Sequence, residues 1–456
     1  MALSPAAAIH PAPASAMPST LETRIRTADA RHAAILRGLV AVALFTLLGK
    51  LMSAAKEMAV AYRYGLAAEV DAYQFVYTLV SWPVGVWSSV LTAVLVPLAA
   101  RMREADPGEL PRFRAELLGL ALVTGLGLGL LAWLAIGAML RMGQGGLAPP
   151  ALALAQAALP GLVLLLPLGL LTTLQSAWML AAGRHVNTLM DSIPTFFIAA
   201  AILAVPGGGI EPLVWGTVAG CSVHLAALLV PMAGRRELEA PRLRWSSPRW
   251  TWFWQGFGIM LGGQALLSLT TVIDQFYAAG LGTGAIATLG YANRVLSLIL
   301  GLAAVAVSRA TLPVFSQSHP GGPSALLRLA MHWAGLMFVA GIAVALAAYP
   351  FAPWAIALLF ERGQFGAADT RVVAEVLRYG LPQLPFYVAS MVLVSYALSQ
   401  RRYALIFWSG VIGCVAKVLG NLLLVPALGV NGVALAAMFT YGLNALFFWL
   451  TLRRAP

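Results

Sequence analysis

The chain is a succession of long apolar runs separated by short polar breaks. Twelve runs are long enough to cross a bilayer as helices. They lie at approximately 34–60, 71–100, 116–140, 151–181, 187–205, 212–233, 252–280, 285–313, 324–348, 372–399, 403–424 and 430–452. About 20 apolar residues cover the hydrocarbon, so the longer runs predict tilted helices. The breaks carry turn-forming residues, as in "ADPGELP" (105–111), "GQGGLAPP" (143–150), "VPGGGIEP" (205–212) and "SHPGGPS" (318–324). The longest outer loop is expected at about 349–371. The first 30 or so residues are rich in Ala, Pro and Ser and hold no apolar run, which predicts a disordered cytoplasmic tail over 1–32.

The pattern also repeats. "GLAAEVDAYQFVYTLVSWPVGVWSSVLTAVLVPLAAR" (65–101) and "GLGTGAIATLGYANRVLSLILGLAAVAVSRATLPVFSQ" (280–317) both open on Gly-Leu and place Pro97 and Pro313 alike. "VPGGGIEPLVWGTVAG" from Val205 answers "VPALGVNGVALAAMFT" from Val425. Two landmark pairs at nearly one offset predict a duplication. The expected fold is an all-α polytopic membrane protein with two pseudo-symmetric six-helix lobes around a central cavity, a secondary-transporter architecture. The lobes would span 33–233 and 252–456, joined by a basic linker over 234–251.

Composition agrees with this class. Hydrophobic residues make up 60% of the chain and charged residues 10%, against about 25% charged in soluble domains. The net charge of +12 would suggest nucleic acid in a soluble protein. Its distribution says otherwise. With the N-terminus inside, nineteen Lys and Arg fall on the inner side and four on the outer. This bias puts both termini in the cytoplasm and accounts for most of the basic excess. Cys221 and Cys414 lack metal-ligand spacing and are expected as small core residues. No nucleotide-binding G-x-x-x-x-G-K-[ST] motif occurs, so transport would draw on an ion gradient, the membrane potential or cargo supply.

Six cations remain inside the runs: Lys50, Lys56, Arg294, Arg309, Arg378 and Lys417. At the bilayer centre each would cost about 2.5–3.5 kcal/mol, so such residues face a partner or a wet cavity. In "GKLMSAAKE", Lys50, Ser53 and Glu57 share one helical face, with Lys56 beside them. In helix 8, Arg294 is followed on its face by the small residues Ser297 and Gly301, a stripe suited to a wet wall. Arg309 sits near the inner end of that helix, as an interfacial charge would. Asp274 in helix 7 and Lys417 with Asn421 in helix 11 suit either a buried pair or an ion or proton relay. Lys50, Lys56, Arg294 and Lys417 outnumber Glu57 and Asp274, and a net cationic cavity suits a phosphate or diphosphate.

The stretches "GKLMSAAKEMAVAYRYGLAAEVDAY", "GYANRVLSLILGLAAVAVSRATLPVFSQ" and "LLFERGQFGAADT" resemble the lipid II flippase (MurJ/MviN) family of the multidrug/oligosaccharidyl-lipid/polysaccharide exporter superfamily. The likeness runs from about residue 35 to 452. It implies alternating access that moves an undecaprenyl-diphosphate-linked glycan, the peptidoglycan precursor or a related polysaccharide unit, from inner to outer leaflet of a bacterial inner membrane. It implies basic cavity residues at Lys50, Lys56 and Arg294, and an acid in the outer loop after helix 1 at Asp71. It further implies that helices 7 and 11 build an ion site in sodium-dependent relatives, with Asp274 and Asn421 at those positions here and the Lys417 ammonium able to fill it. A sodium ion or a proton is thus the expected coupling ion. The resemblance departs at helix 2, where "LVSWPVGVWSS" lacks an expected arginine pair, and in the absence of two further helices. The expected protein is a monomer that is not an enzyme and binds no nucleic acid. It would work in the lipid phase, in one arrangement beside glycan-synthesis enzymes. The alternatives are a multidrug or cation antiporter of the same fold, which would need acidic and aromatic cavity residues where the balance here is basic, and a membrane glycosyltransferase or polymerase, which would need a catalytic acid in a sizeable outer loop.

Overall fold

The computed structural model describes residues 47–453 with breaks at 107, 185–186, 206, 208, 317–321 and 401. The expected tail over 1–32 and the start of the first span lie outside the described residues. Those residues form α1 (47–64), α2 (Ala68–Ala105), α3 (Glu109–Arg141), α4 (Pro149–Leu162), α5 (Leu165–Ala181), the single turn α6 (Asn187–Met190), α7 (Ile193–Ala204) and α8 (Glu211–Ala233). A second series follows: α9 (Trp250–Ala279), α10 (Ala285–Ser316), α11 (Gly322–Phe360), α12 (Ala367–Gly380), α13 (Leu384–Ser399), α14 (Tyr403–Leu428) and α15 (Val430–Arg453). Among the described residues nine spans are long and apolar enough to cross a membrane, with α12 and α13 counted as one, and α4 with α5 forms a tenth, bent by 47°. The shorter apolar α7 and α1 bring the order to that of a twelve-helix protein.

Two sequence expectations change. The run 151–181 is two helices meeting at Val163 and Leu164, not one. The long outer loop is mostly helix: α11 continues through Pro350 and Pro353 to Phe360, and α12 starts at Ala367. Apolar Phe351, Trp354 and Leu358 extend the run past the prolines, each of which costs one backbone hydrogen bond without ending the helix. The connection left over is the tight turn 361–366, where Arg362 and Phe365 pair.

One face of the molecule carries the inter-lobe linker, residues 234–249, and is called the linker face below. The linker is fastened to the first lobe. Buried Glu116 accepts bonds from the Ser246 amide and hydroxyl, the Ser247 amide and the Trp250 indole N–H. The Arg242 amide donates to the Ala115 carbonyl, and a Cβ at Gly119 would collide with the Arg242 backbone. Arg184 and Arg114 both reach Glu237, the former through its carboxylate and the latter through its carbonyl.

The apolar cores show how the lobes meet. Opposite the linker face, one continuous core runs through both lobes, with Phe75 and Val76 of α2, Ile286 and Tyr291 of α10, and Phe360 and Phe365 around the tight turn. At the linker face the cores are separate. One holds Phe113, Trp178 and Phe253; the other holds Phe315, Tyr396 and Phe448. The start of α9 belongs to the first of these, with Trp87 and Phe257 rings 5.5 Å apart, so the lobe boundary expected at 252 does not separate the packing. Among the described residues the lobes therefore share one core on one face and keep separate cores on the other, apart from the seam of α2 with α9.

Candidate functional site

The closed face is stitched by the turn between α1 and α2. Asp71, in the first turn of α2, is buried and accepts the Gly284 amide at 2.5 Å and the Ala287 amide at 2.8 Å. It thereby caps the N-terminus of α10, across the lobe boundary, where the unpaired amides and the helix dipole favour a carboxylate. The Tyr291 hydroxyl donates to the Gly65 carbonyl at 3.1 Å, and the Gln364 amide to the Tyr62 carbonyl at 2.8 Å. Gly363 has φ +61° and a Cβ there would run into Tyr62, so only glycine fits this crossing. Asp71 is thus a helix residue and a clasp, not a loop acid.

Beneath this seal lies a cavity of about 620 Å³ between the lobes. Its charged lining consists of Lys56, Glu57, Asp274, Arg294 and Lys417, three cations against two carboxylates. Ser53 and Ser297 line it as expected from sequence. Gly301 falls outside the lining and a Cβ there would meet nothing within 4 Å. Lys50 stands outside as well. It is exposed, seven residues along α1 from Glu57, which places it about 10 Å further along the axis. Arg378 is turned away too, with its guanidinium 4.9 Å from the centre of the Tyr349 ring. The side chain of Arg309 lies outside the described residues.

The charges form two groups. In the first, Glu57 joins the lobes: its Oε1 is 2.6 Å from Lys56 Nζ and 2.9 Å from Arg294 Nε. Glu57 is nearly buried, whereas the Arg294 side chain is 50% exposed, and the cavity is where it opens. One carboxylate serving two cations leaves net positive charge at the wall. Ser297 donates to the Arg294 carbonyl at 2.8 Å, so its hydroxyl is satisfied within α10. In the second group, inside the second lobe, Lys417 Nζ is 3.0 Å from Asp274 Oδ2 and 3.3 Å from the Val433 carbonyl. Asn421 Nδ2 donates to Asp274 Oδ1 at 3.3 Å, and Asn421 is fully buried. Lys417 is therefore neutralised by its own partner and is not a free cation for cargo, which corrects its assignment as a cargo-binding residue. A carboxylate, a carbonyl and an amide would suit a hard cation such as sodium. The ammonium already stands among them, so these residues do not fit a resident sodium ion.

Sequence reasoning missed the opposite wall. Gln74, Tyr73 and Tyr77 of α2 line the cavity, with the two tyrosine rings stacked at 5.4 Å and Tyr73 bonded to Thr217 at 2.8 Å. A Cβ at Gly290 would collide with the Gln74 amide, so glycine lets α10 cross α2 here. A polar signal was present in the spacing of Tyr73, Gln74 and Tyr77 within an apolar run, but it carries no charge.

Two lobes sealed on one face, parted on the other and enclosing a cationic cavity define a membrane transporter of the alternating-access kind. The profile of the lipid II flippase MurJ family matches residues 60–456, and the chain belongs to that family. A lipid II flippase MurJ of Burkholderia cenocepacia is 23% identical over 449 residues, covering 92% of this chain and 84% of the relative. A probable lipid II flippase MurJ of Helicobacter pylori is 33% identical over 191 residues, 40% of each chain. Among solved structures, a lipid II flippase MurJ in an inward closed conformation superposes with a TM-score of 0.79 at 17% identity, covering 91% of this chain and 88% of that one. An inward-facing transporter of the multidrug MATE family follows at 0.70 and 17% identity, covering 89% and 94%. These likenesses confirm the helical, two-lobe fold expected from the repeat.

Proposed function

We propose that this chain is a flippase for a lipid-linked glycan, lipid II or a saccharide on the same undecaprenyl diphosphate, carried from the inner to the outer leaflet of a bacterial cytoplasmic membrane. The observation that carries this reading is Arg294, half-open to an inter-lobe cavity while tied to Glu57. A diphosphate competes with Glu57 for Arg294 and Lys56, and a guanidinium matches its oxygens in a bidentate fork. The stacked Tyr73 and Tyr77 offer an apolar face to a sugar ring. The linker face carries Arg235, Arg236, Arg242, Arg244 and Arg249, so the positive-inside bias sets it in the cytoplasm with both termini. The parted face then opens to the leaflet where a precursor made in the cytoplasm is loaded, and the Asp71 clasp closes the exit. An anion moved outward down an inside-negative potential gains about 2.3 kcal/mol per charge per 100 mV, a driving force independent of nucleotide.

Both cavity carboxylates are already committed to cations, which leaves none free for a cationic drug and weighs against the antiporter reading. The test is flipping of fluorescent undecaprenyl-diphosphate glycans in proteoliposomes. Wild type flips, and Arg294→Ala, still folded, flips about 10- to 100-fold more slowly. Unimpaired flipping by the variant would remove Arg294 from the cargo site, and glycan preference across a panel names the cargo.

A further inference from the structure

Lys417 is the least explained cation in the second lobe. It is 3% exposed, in the middle of α14, and three helices converge on it: α9 through Asp274, α14 through Asn421 one turn away, and α15 through the Val433 carbonyl. An ammonium buried among apolar helices is costly unless paired, and this one is paired with the single carboxylate of its lobe's cavity wall. The cage around it is made of oxygens. Asp274 Oδ2 and the Val433 carbonyl face the ammonium, and Asn421 Oδ1, fully buried, is left without a partner. The two buried acceptors that face Lys417 call for a cation between them, and Asn421 holds Asp274 in place through its amide N–H.

We infer that the Lys417 ammonium is that cation: a counter-ion tethered to the chain, which holds the place a free monovalent ion would take, so that the second lobe goes through its cycle without binding sodium. The inference rests on the transporter reading but not on the identity of the cargo. It has a sharp consequence. Truncating Lys417 removes the charge while leaving the Asp274 carboxylate and the Val433 carbonyl, with the Asn421 amide bonded to Asp274. A hard monovalent cation with oxygen ligands is then the natural replacement. A chain indifferent to sodium becomes one that binds it.

The experiment compares the thermal midpoints of purified wild type and Lys417→Ala in sodium chloride and in choline chloride at equal ionic strength. The expected wild-type midpoint is the same in both salts. The expected Lys417→Ala midpoint is lower in choline and recovers by about 2–4 °C in 0.2 M sodium, as binding to the folded state alone requires. Proteoliposome flipping by wild type is likewise the same with sodium or choline on either side. A wild type stabilised or accelerated by sodium overturns the inference, and so does a folded Lys417→Ala that ignores sodium. Should the alanine variant fail to fold, Lys417→Asn, which offers an amide oxygen in place of the ammonium, carries the same comparison, and indifference to sodium there overturns the inference too. The midpoint needs no cargo, so a failure of the proposed cargo leaves this test intact.

Discussion

The two charged groups in the cavity are built from the same residue types and do opposite things. At Glu57 one carboxylate is shared between Lys56 of its own helix and Arg294 of the other lobe, and the arginine remains half-open. At Asp274 one carboxylate meets one ammonium, both in one lobe, with Asn421 closing the set. The first group is unbalanced and spans a boundary that must open and close. The second is balanced and lies within one lobe. Charges inside a membrane face a partner or a water-filled cavity, and Arg294 has both while Lys417 has its partner. Charge counting along the sequence assigns Lys417 and Arg294 the same role; their partners separate them.

The largest expected effect comes from breaking the first group. Arg294→Glu should abolish flipping, because it inverts the charge that meets the cargo and sets Glu57 against a second carboxylate. Arg294→Ala should cost about 10- to 100-fold, the loss of one or two charge-assisted bonds. Lys56→Ala should cost less, since Lys56 is the more enclosed of the two cations. The flipping rate per folded protein decides the order, and a Lys56 effect exceeding that of Arg294 would reverse the assignment. Glu57→Gln sharpens the point from the other side. Without its carboxylate competitor, the cargo should bind about tenfold more tightly while turnover falls, because release loses the group that takes the cations back. Unchanged cargo affinity would mean that Glu57 does not compete.

Breaking the second group should be felt as stability before it is felt as transport. Lys417→Met leaves the half-buried Asp274 without its cation in sodium-free buffer, which should cost up to about 3 kcal/mol, the low end for a broken buried pair. Adding Asp274→Asn should recover most of that, because two neutral side chains of similar size no longer demand a counter-charge. The two midpoints measure the coupling. A double variant no more stable than the single would show that Lys417 acts by packing rather than by charge.

Much of this architecture was legible beforehand, and the reason is physical. Membrane spans announce themselves through length and apolarity, and Arg294 stands out because a charge in such a run is expensive. The repeat predicted two lobes, and two lobes predicted a cavity. What the sequence withheld depends on distances between segments far apart in the chain. Asp71 reads as an outer-loop acid until the α10 amides appear in front of it. Lys50 reads as a cavity residue because it shares a face with Glu57, yet axial distance removes it. The linker reads as basic topology signal, while its anchor is the single acid Glu116. The prolines at 350 and 353 read as the end of a span, but tertiary packing around Ile356 and Phe360 carries the helix past them.

The smallest effect provides the reference for both membrane groups. Arg184 and Glu237 form a two-pronged ion pair on the linker face, in water rather than lipid. Partial burial pushes the Glu237 carboxyl up, but the Arg184 hydrogen bond and charge, with Arg114 and Arg103 nearby, hold it below its ordinary value of 4.5. A depressed carboxyl contributes its stability above that ordinary value and loses it as the pH falls through the lower, folded one. Arg184→Gln should therefore lower the midpoint slightly at pH 7, by an amount worth less than about 1 kcal/mol. The gap between variant and wild type should close at acid pH, and also in about 0.5 M choline chloride, which screens exposed charges. The gap between Lys417→Met and wild type should survive the same salt, because the Lys417 ammonium is buried, with only 4% of its side chain exposed. A salt-sensitive Lys417 gap would place that pair in open water and undo the contrast between a visited cation and an enclosed one.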